Sequence, residues 1–154
     1  MYNDSTSTAP RHEKARELLD QLYMLKQSDA ANKISMPQDV VLQILPWKDK
    51  KIEHFIAIFV DNKNNIIQKK VISKGTVDQT PVYPREILRT ALLKQASGLI
   101  LAHNHPGGDP KPSIQDQELT SKVRKACDVF DIRLLDHVII ARDGHFSFNE
   151  HGII

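Results

Sequence analysis

Apolar residues recur every three or four positions in several segments of the chain, which is the spacing of one face of a helix. The helices that this spacing predicts cover residues 11–26, 35–45, 84–96 and 114–130. Other segments are short apolar runs between turn residues, which indicates strands. The predicted strands cover residues 51–61, 66–74, 99–105, 132–142 and 145–148. Strands mixed with helices, some joined as hairpins, predict an α/β fold in which helices flank a mixed β-sheet.

Residues at the ends of these segments give more local predictions. Ser35 and Gln38 have the spacing of a capping box at the start of the second helix. The turn cluster 61–65 predicts a hairpin of the first two strands, and the dipeptide 143–144, Asp-Gly, predicts a two-residue turn between the last two. The first strand is apolar at every position from 55 to 60, so we expect the sheet to be covered on both faces there.

The segment 98–116, GLILAHNHPGGDPKPSIQD, carries the most distinctive chemistry of the chain. Because side chains alternate along a strand, His103 and His105 lie on the same face if this apolar run is extended. Two imidazoles on one face form half of a zinc site, and a helix that begins near Ser113 can bring Asp116 back over the same strand end. Two histidines and one carboxylate leave a coordination position open, which is the pattern of a catalytic site.

Ser113 and Asp116 also have a simpler interpretation. A serine three residues before a carboxylate resembles a capping pair, with Ser113 as the N-cap and Asp116 at the third helical position. This interpretation explains both residues, but it does not explain the paired histidines just upstream. The prolines and glycines of residues 106–112 restrict the loop and allow tight backbone next to the ligands, which agrees with a metal site.

The string His103-x-His105-x7-Ser113-x2-Asp116 resembles the signature of the JAMM (MPN+) metalloproteases and is much more specific than a lone His-x-His pair. The features that are similar to the bacterial RadC family are the letters HNHPGGDPKPS, the later LDH at 135–137 and the SF at 147–148. Many RadC proteins carry an N-terminal helix-hairpin-helix region, which we expect a chain of 154 residues to be too short to hold beside this domain.

The resemblance implies a JAMM (MPN-like) RadC domain over residues 34–154, with the cytidine-deaminase-like sandwich of a sheet and helices. It implies a zinc-dependent hydrolase that cleaves a peptide or isopeptide bond with metal-activated water. One Zn²⁺ per chain would be bound by His103, His105 and Asp116, and the expected partner is a protein or peptide substrate.

A water that is activated by a metal with three protein ligands still needs a proton acceptor. The JAMM pattern places a glutamate well upstream, at the start of a strand, and Glu53 fits this position best. Glu86 is the rival, although a carboxylate in the first turn of a helix is common for electrostatic reasons alone. The resemblance also implies that the hydroxyl of Ser113 helps to stabilise the oxyanion, which is compatible with an N-cap.

Other polar residues have weaker functional assignments. We expect His137 to be a core histidine or a residue behind the ligands, and not a fourth ligand. Asp136 is a candidate to orient a ligand histidine, and Asn104, on the opposite face of the strand, has a structural role. The histidines expected at the surface are His12, His54, His145 and His151.

The composition agrees with a globular domain that needs no disulfide. The chain has 154 residues, one cysteine and a formal net charge of +2, which does not indicate a strong nucleic-acid surface. No apolar run approaches the ~20 residues of a membrane span, so we expect a cytoplasmic protein. Residues 1–10 are polar and predict a disordered tail, and residues 11–33 predict a helix and a connector.

Two other functions stay open. One is a DNA-associated protein of repair or of mobile elements, which the family's history suggests and the small net charge does not favour. The other is a metal-stabilised interaction module without turnover. A zinc nucleoside deaminase is set aside because it needs a Pro-Cys-x-x-Cys segment, and the chain has one cysteine. The sequence names neither the substrate nor the oligomeric state.

Overall fold

The structure is a computed structural model that describes residues 11–28, 32–75 and 81–154, so the predicted tail at 1–10 lies outside it. The helices are α1 (Arg11–Ser28), α2 (Pro37–Ile44), α3 (Pro84–Leu93) and α4 (Ile114–Val129), with a short 3₁₀ helix at Leu45–Trp47. The strands are β1 (His54–Val60), β2 (Ile66–Lys74), β3 (Gly98–His105), β4 (Arg133–Ala141) and β5 (Gly144–Ser147). The predicted α/β class is confirmed.

The five strands form one mixed sheet in the order β2-β1-β3-β4-β5. Strand β3 lies at its centre, antiparallel to β1 and parallel to β4. The two outer pairs, β1 with β2 and β4 with β5, are antiparallel hairpins. Because β3 is paired on both sides, side chains at its end are held at positions that the sheet determines.

Helices cover both faces of the sheet, which explains the continuous apolar run of β1. Phe55 and Phe59 of β1 pack on one face in a cluster that includes residues of α3 and α4. Ile56 and Ile58 point to the other face and pack in a cluster that includes residues of α2. All seven residues of β1 are buried, so the prediction of a strand covered on both sides is confirmed.

The connection from β3 to β4 positions the candidate site. Parallel neighbours need a crossover, and α4 provides it. The chain leaves β3 at His105 and enters α4 at Ile114, so the loop 106–113 returns the start of the helix to the end of the strand. Ligands from the strand and from the first turn of the helix can therefore meet.

The start of α2 corrects one prediction. Met36 precedes Pro37 and is extended, with φ of −149° and ψ of 162°, because the residue before a proline is disfavoured in the helical region. The Oδ2 of Asp39 accepts the backbone N–H groups of Ser35 and Met36 at 2.9 and 3.1 Å. The predicted capping pair of Ser35 and Gln38 is therefore wrong, and Asp39 takes its place.

Two further boundaries differ from the prediction. Helix α3 ends at Leu93 and not at residue 96, because Gln95 adopts a left-handed conformation with φ of 53°. In the last hairpin Ala141 pairs with Gly144, so the turn residues lie one position earlier than the predicted dipeptide, at 142–143. The left-handed φ of 138° at Gly144 belongs to the first residue of β5.

Residues 32–154 form one compact unit, and α1 belongs to a separate one. Leu18, Leu19 and Leu22 form part of the predicted apolar face of α1 and are exposed. In the part of the chain that the structure describes, we find no helix with the length and apolar character needed to cross a membrane.

Candidate metal centre

The two histidines of the HNH segment lie at the C-terminal end of β3. His103 is opposite Phe55 of β1 and Ile139 of β4, and His105 is opposite Ala141 of β4. His103 is fully buried and His105 is partly exposed. The Nε2 atoms of the two rings are 2.9 Å apart, so both side chains are on one face, as the alternation of the strand predicts.

Asp116 completes the cluster from the first turn of α4. Its Oδ1 lies 3.2 Å from Nε2 of His103, and its Oδ2 lies 3.4 Å from Nε2 of His105. Each of the three residues offers one ligand atom, and these atoms all lie within 4.8 Å of one another. The three residues that the sequence singles out are therefore brought together and could hold one metal ion.

Asp116 is fixed in this position by the helix cap. Its Oδ2 accepts the backbone N–H of Ser113 at 2.8 Å, and its own N–H donates to Oγ of Ser113 at 3.1 Å. This reciprocal pair is the capping box that the sequence indicates. The capping interpretation and the metal-ligand interpretation are thus compatible, because one carboxylate faces both the helix end and the imidazoles.

The chemistry of the donor set fits a divalent metal ion. Two imidazole nitrogens and a carboxylate oxygen are typical zinc ligands. The Nδ1 of His105 donates to the carbonyl of Asp109 at 2.9 Å, so in the neutral ring that a metal requires the lone pair is on Nε2, which faces the cluster. Burial alone would raise the pKa of Asp116, but its hydrogen bonds with His103 and His105 hold that pKa below its ordinary value. The carboxylate is therefore ionised.

The two ligand histidines differ in their electrostatic surroundings. Burial lowers the pKa of His103, which favours the neutral imidazole that a metal requires. Burial also opposes the charged form of His105, but its hydrogen bonds to Asp116 and Asp109 outweigh this and raise its pKa. A cation at the cluster would replace a proton in satisfying the carboxylate of Asp116.

A cavity of about 410 Å³ adjoins the cluster on the side of Asp116. Glu53 lies in its wall, just before β1, and is half-buried. Burial and the charge of Asp116 raise the pKa of Glu53 to about 7, although the nearby His105 acts in the opposite direction. A carboxyl group that titrates near neutral pH beside the candidate ligands is suited to exchange protons there.

The rival carboxylate has a different environment. Glu86 lies in the first turn of α3, where its Oε1 is 3.5 Å from Nε of Arg85, and half of its side chain is exposed. Glu86 is not one of the described residues that line the cavity. The geometry therefore favours Glu53 over Glu86 for chemistry at the cluster.

Asn104 connects the ligand strand to the segment that carries Glu53. Its Oδ1 accepts the backbone N–H of His54 at 2.7 Å, and its Nδ2 donates to the carbonyl of Ile52 at 3.1 Å. The residues on both sides of Glu53 are thus held by one buried amide. His54 is itself buried, with Nδ1 3.0 Å from the carbonyl of Ile52, so the prediction that it lies at the surface is wrong.

Two of the other histidines that we expected at the surface are at least partly exposed. His145 is partly exposed and His151 is exposed. The side chain of His12 lies outside the described residues.

Two buried residues stand behind His103. Its Nδ1 lies 2.8 Å from Nε2 of His137, and Nδ1 of His137 lies 2.6 Å from Oγ1 of Thr120. His137 is therefore behind a ligand, which is one of the two positions that the sequence allows. Asp136 instead binds the N–H of His137 and the hydroxyl of Ser147.

Thr120 is the residue that the sequence reasoning missed. It lies four positions after Asp116 on α4 and therefore on the same helical face, which is the signal that could have found it.

Comparison with protein families agrees with this geometry. A family model described as a RadC-like JAB domain matches residues 34–153. The chain belongs to this family. The match includes the whole sheet and all three residues of the cluster, and α1 lies outside it.

Relatives of this RadC-like JAB domain are named UPF0758 proteins. One from Histophilus somni (strain 2336) is 40% identical over 135 residues, which are 86% of this chain and 60% of the relative. One from Streptococcus equi subsp. zooepidemicus (strain MGCS10565) is 40% identical over 134 residues, 87% of this chain and 60% of the relative. One from Actinobacillus pleuropneumoniae serotype 5b (strain L20) is 36% identical over 138 residues, 89% and 63% of the two chains. The chain thus spans about three fifths of these relatives, and their names state no activity.

Proposed function

We propose that the protein is a zinc-dependent hydrolase of the JAMM type that cleaves a peptide or isopeptide bond. The observation that carries this proposal is the convergence of His103, His105 and Asp116 beside a cavity whose wall contains Glu53. Three protein ligands leave room for water or substrate, whereas structural zinc sites are closed by a fourth protein ligand. Bound zinc would supply a Lewis acid for the substrate carbonyl and an activated water.

Glu53 is the proposed general base. It would accept the proton of the attacking water at its carboxylate and pass that proton to the leaving amine. Burial, the main cause of its raised pKa in the metal-free chain, favours a protonated carboxyl group between the two transfers. The amide of Asn104 holds the backbone on both sides of Glu53, so the carboxylate has a fixed origin relative to the ligand strand.

Ser113 is the proposed donor to the oxyanion. Its Oγ already accepts the N–H of Asp116, which places the hydroxyl beside the cluster. The hydrogen of that hydroxyl is then the group that would stabilise developing negative charge. The cap thus orients the hydroxyl as well as the ligand.

The cavity is the proposed binding site for a protein or peptide substrate. Its volume of about 410 Å³ is within the usual range for ligand sites and suits a few side chains of an extended segment. Phe55, Val82 and Leu119 give it apolar walls, and Gln115 adds an amide. A carbonyl bound there would lie next to Asp116 and Glu53.

The test compares two glutamates in zinc-loaded protein. Glu53→Gln keeps the shape of the side chain and removes the base, and Glu86→Gln is the matched control on α3. With a mixture of peptides and isopeptide-linked lysine conjugates as the probe, we expect Glu53→Gln to lower the cleavage rate about 100-fold or more. Zinc content should be unchanged in both variants, and Glu86→Gln should cleave like the wild type.

The same experiment separates the hydrolase from a metal-stabilised module. Full turnover in Glu53→Gln would show that this carboxylate is not the base. Absence of cleavage in zinc-loaded wild type with every probe would contradict the hydrolase itself. Cleavage that is lost in Glu53→Gln with zinc retained would show that the metal serves catalysis and not only structure.

A further inference from the structure

An unbroken line of hydrogen bonds joins the helix ligand to the strand ligand behind the metal centre. The Oγ1 of Thr120 lies 2.6 Å from the backbone carbonyl oxygen of Asp116 and 2.6 Å from Nδ1 of His137. The Nε2 of His137 lies 2.8 Å from Nδ1 of His103. Thr120, His137 and His103 are all buried, so protein groups must satisfy these polar atoms.

The backbone carbonyl of Asp116, at one end of this line, determines which atom donates in each hydrogen bond. A carbonyl oxygen can only accept, so Thr120 donates the one hydrogen of its hydroxyl to Asp116. The Oγ1 of Thr120 can then only accept from the imidazole, and Nδ1 of His137 must carry a hydrogen. A neutral imidazole with its hydrogen on Nδ1 presents a lone pair at Nε2.

The metal end requires the same direction. Nε2 of His103 faces Asp116 and His105, so it must present a lone pair to bind a cation. The hydrogen of this ring is then on Nδ1, which needs an acceptor, and the lone pair of His137 is that acceptor. With the hydroxyl of Thr120 donated to Asp116, every contact of the line is a hydrogen bond, and Nε2 of His103 is left ready to bind.

We propose that Thr120 and His137 are positioning residues. They fix the tautomer of His103 that has its hydrogen on Nδ1, so that the lone pair of Nε2 faces the metal. The proposal rests on the metal centre of the proposed function and not on the reaction. Thr120 is not a ligand itself, so the spacing of the ligand motif does not include it. Partners behind a ligand histidine commonly orient the ring and raise its basicity.

The sheet explains why side chains perform this task for His103. His105 is at the end of β3 and uses the backbone carbonyl of Asp109 in the following loop. His103 lies inside the strand, where β1 and β4 occupy the backbone groups on both sides. His137 is two residues before the β4 partner of His103 and lies on the same face. A second ring is therefore the acceptor within reach.

Aromatic rings hold both imidazoles in place. Phe55 stacks on His103 with centroids 5.6 Å apart and planes at 18°, and Phe148 stacks on His137 at 4.7 Å and 19°. Rotation of either ring would break a stack as well as a hydrogen bond. The line is thus held by packing in addition to its polar contacts.

The test uses Thr120→Val, which keeps the shape and removes the hydroxyl, and Thr120→Ser, which restores it. Thr90→Val is the matched control, because Thr90 makes the same bond from a helix to the carbonyl four residues earlier, at 3.1 Å, on the exposed side of α3. Two quantities are measured: zinc affinity by competition with a chelator, and the histidine tautomers by long-range ¹H–¹⁵N spectra of the full chain.

We expect spectra of the zinc-loaded wild type to show the Nδ1–H tautomer for both His103 and His137. Thr120→Val should bind zinc about 10- to 100-fold more weakly and show a second tautomer of His137. Thr120→Ser should restore both properties, and Thr90→Val should behave like the wild type. A general loss of stability would not explain a changed tautomer of His137 in Thr120→Val together with a restored one in Thr120→Ser.

Two results would overturn the proposal. The first is an Nε2–H tautomer of His137 in the zinc-loaded wild type, a measurement that needs no variant to fold. The second is wild-type zinc affinity in Thr120→Val. If His103→Ala then still abolished zinc binding, the metal centre and the proposed function would stand without this line.

Discussion

Asp116 shows how one residue can belong to both a helix cap and a candidate metal centre. Its carboxylate closes the cap at Ser113 and faces two imidazoles, and its backbone carbonyl receives the hydroxyl of Thr120. A substitution at this position therefore removes several interactions at once. The helix cap, metal binding and proton transfer must therefore be tested separately, by substitutions of residues near Asp116.

Glu53 gives a pH-dependent prediction at the residue scale. Its pKa is raised from 4.5 to about 7 by burial and by the charge of Asp116. Between these values the folded protein holds a proton that the unfolded chain has released, so the free energy of unfolding should fall as the pH rises. Glu53→Gln should flatten this decrease in the metal-free protein.

Chemical denaturation at a series of pH values across this interval is the measurement. Glu86→Gln serves as the control, because half of that side chain is exposed and it lies on α3. It should keep the pH dependence of the wild type. Equal pH dependence in all three proteins would contradict a raised pKa at Glu53.

At the scale of single residues, the sequence predicts the ligands better than their surroundings. Alternation along a strand and the spacing to the helix start are local properties, so His103, His105 and Asp116 can be read directly. The backbone N–H of His54 donates to Asn104, fifty residues away in the chain, and Thr120 contacts His137 of β4. Spacing along the chain can put Thr120 on the helical face of Asp116, but it does not reveal a partner on another strand.

At the scale of elements, the periodic segments are predicted well and their ends less well. The helices and strands of residues 32–154 follow the apolar pattern, because burial of that pattern is what stabilises them. Their ends depend on single residues: Pro37 delays α2, and Gln95 in a left-handed conformation ends α3 early. A hairpin register depends on the partner strand, which explains the shift by one residue at the turn after β4.

The first turn of α4 gives a prediction at this scale. Ser113→Ala removes the Oγ that accepts the N–H of Asp116, and loss of such a cap costs about 1 kcal/mol. We expect this decrease in the free energy of unfolding of the metal-free protein, measured by urea denaturation. Ser121→Ala, at an exposed position of the same helix, is the control and should not be destabilising.

The outcome of Ser113→Thr completes that test. Threonine keeps a hydroxyl at the N-cap, so most of the stability should be retained. If Ser113→Ala were as stable as the wild type, the cap would not be what holds Asp116 in place. The orientation of this ligand would then need another explanation.

At the scale of the whole molecule, the candidate metal centre joins parts that are distant in the chain. His103 and His105 come from the centre of the sheet, Asp116 from α4, and Glu53 from the segment before β1. The family match covers residues 34–153, which contain all of these parts. The chain spans about three fifths of its curated relatives, so the activity proposed here is that of the domain.

The metal content of the purified protein, never exposed to a chelator, shows whether His103, His105 and Asp116 bind a metal ion together. Elemental analysis of the wild type should give one divalent metal ion per chain, with zinc as the expected element. The double variant His103→Ala/His105→Ala should lose that metal, whereas the control Glu86→Gln should keep it. A wild type without stoichiometric metal, or a double variant with the same content as the wild type, would contradict the account.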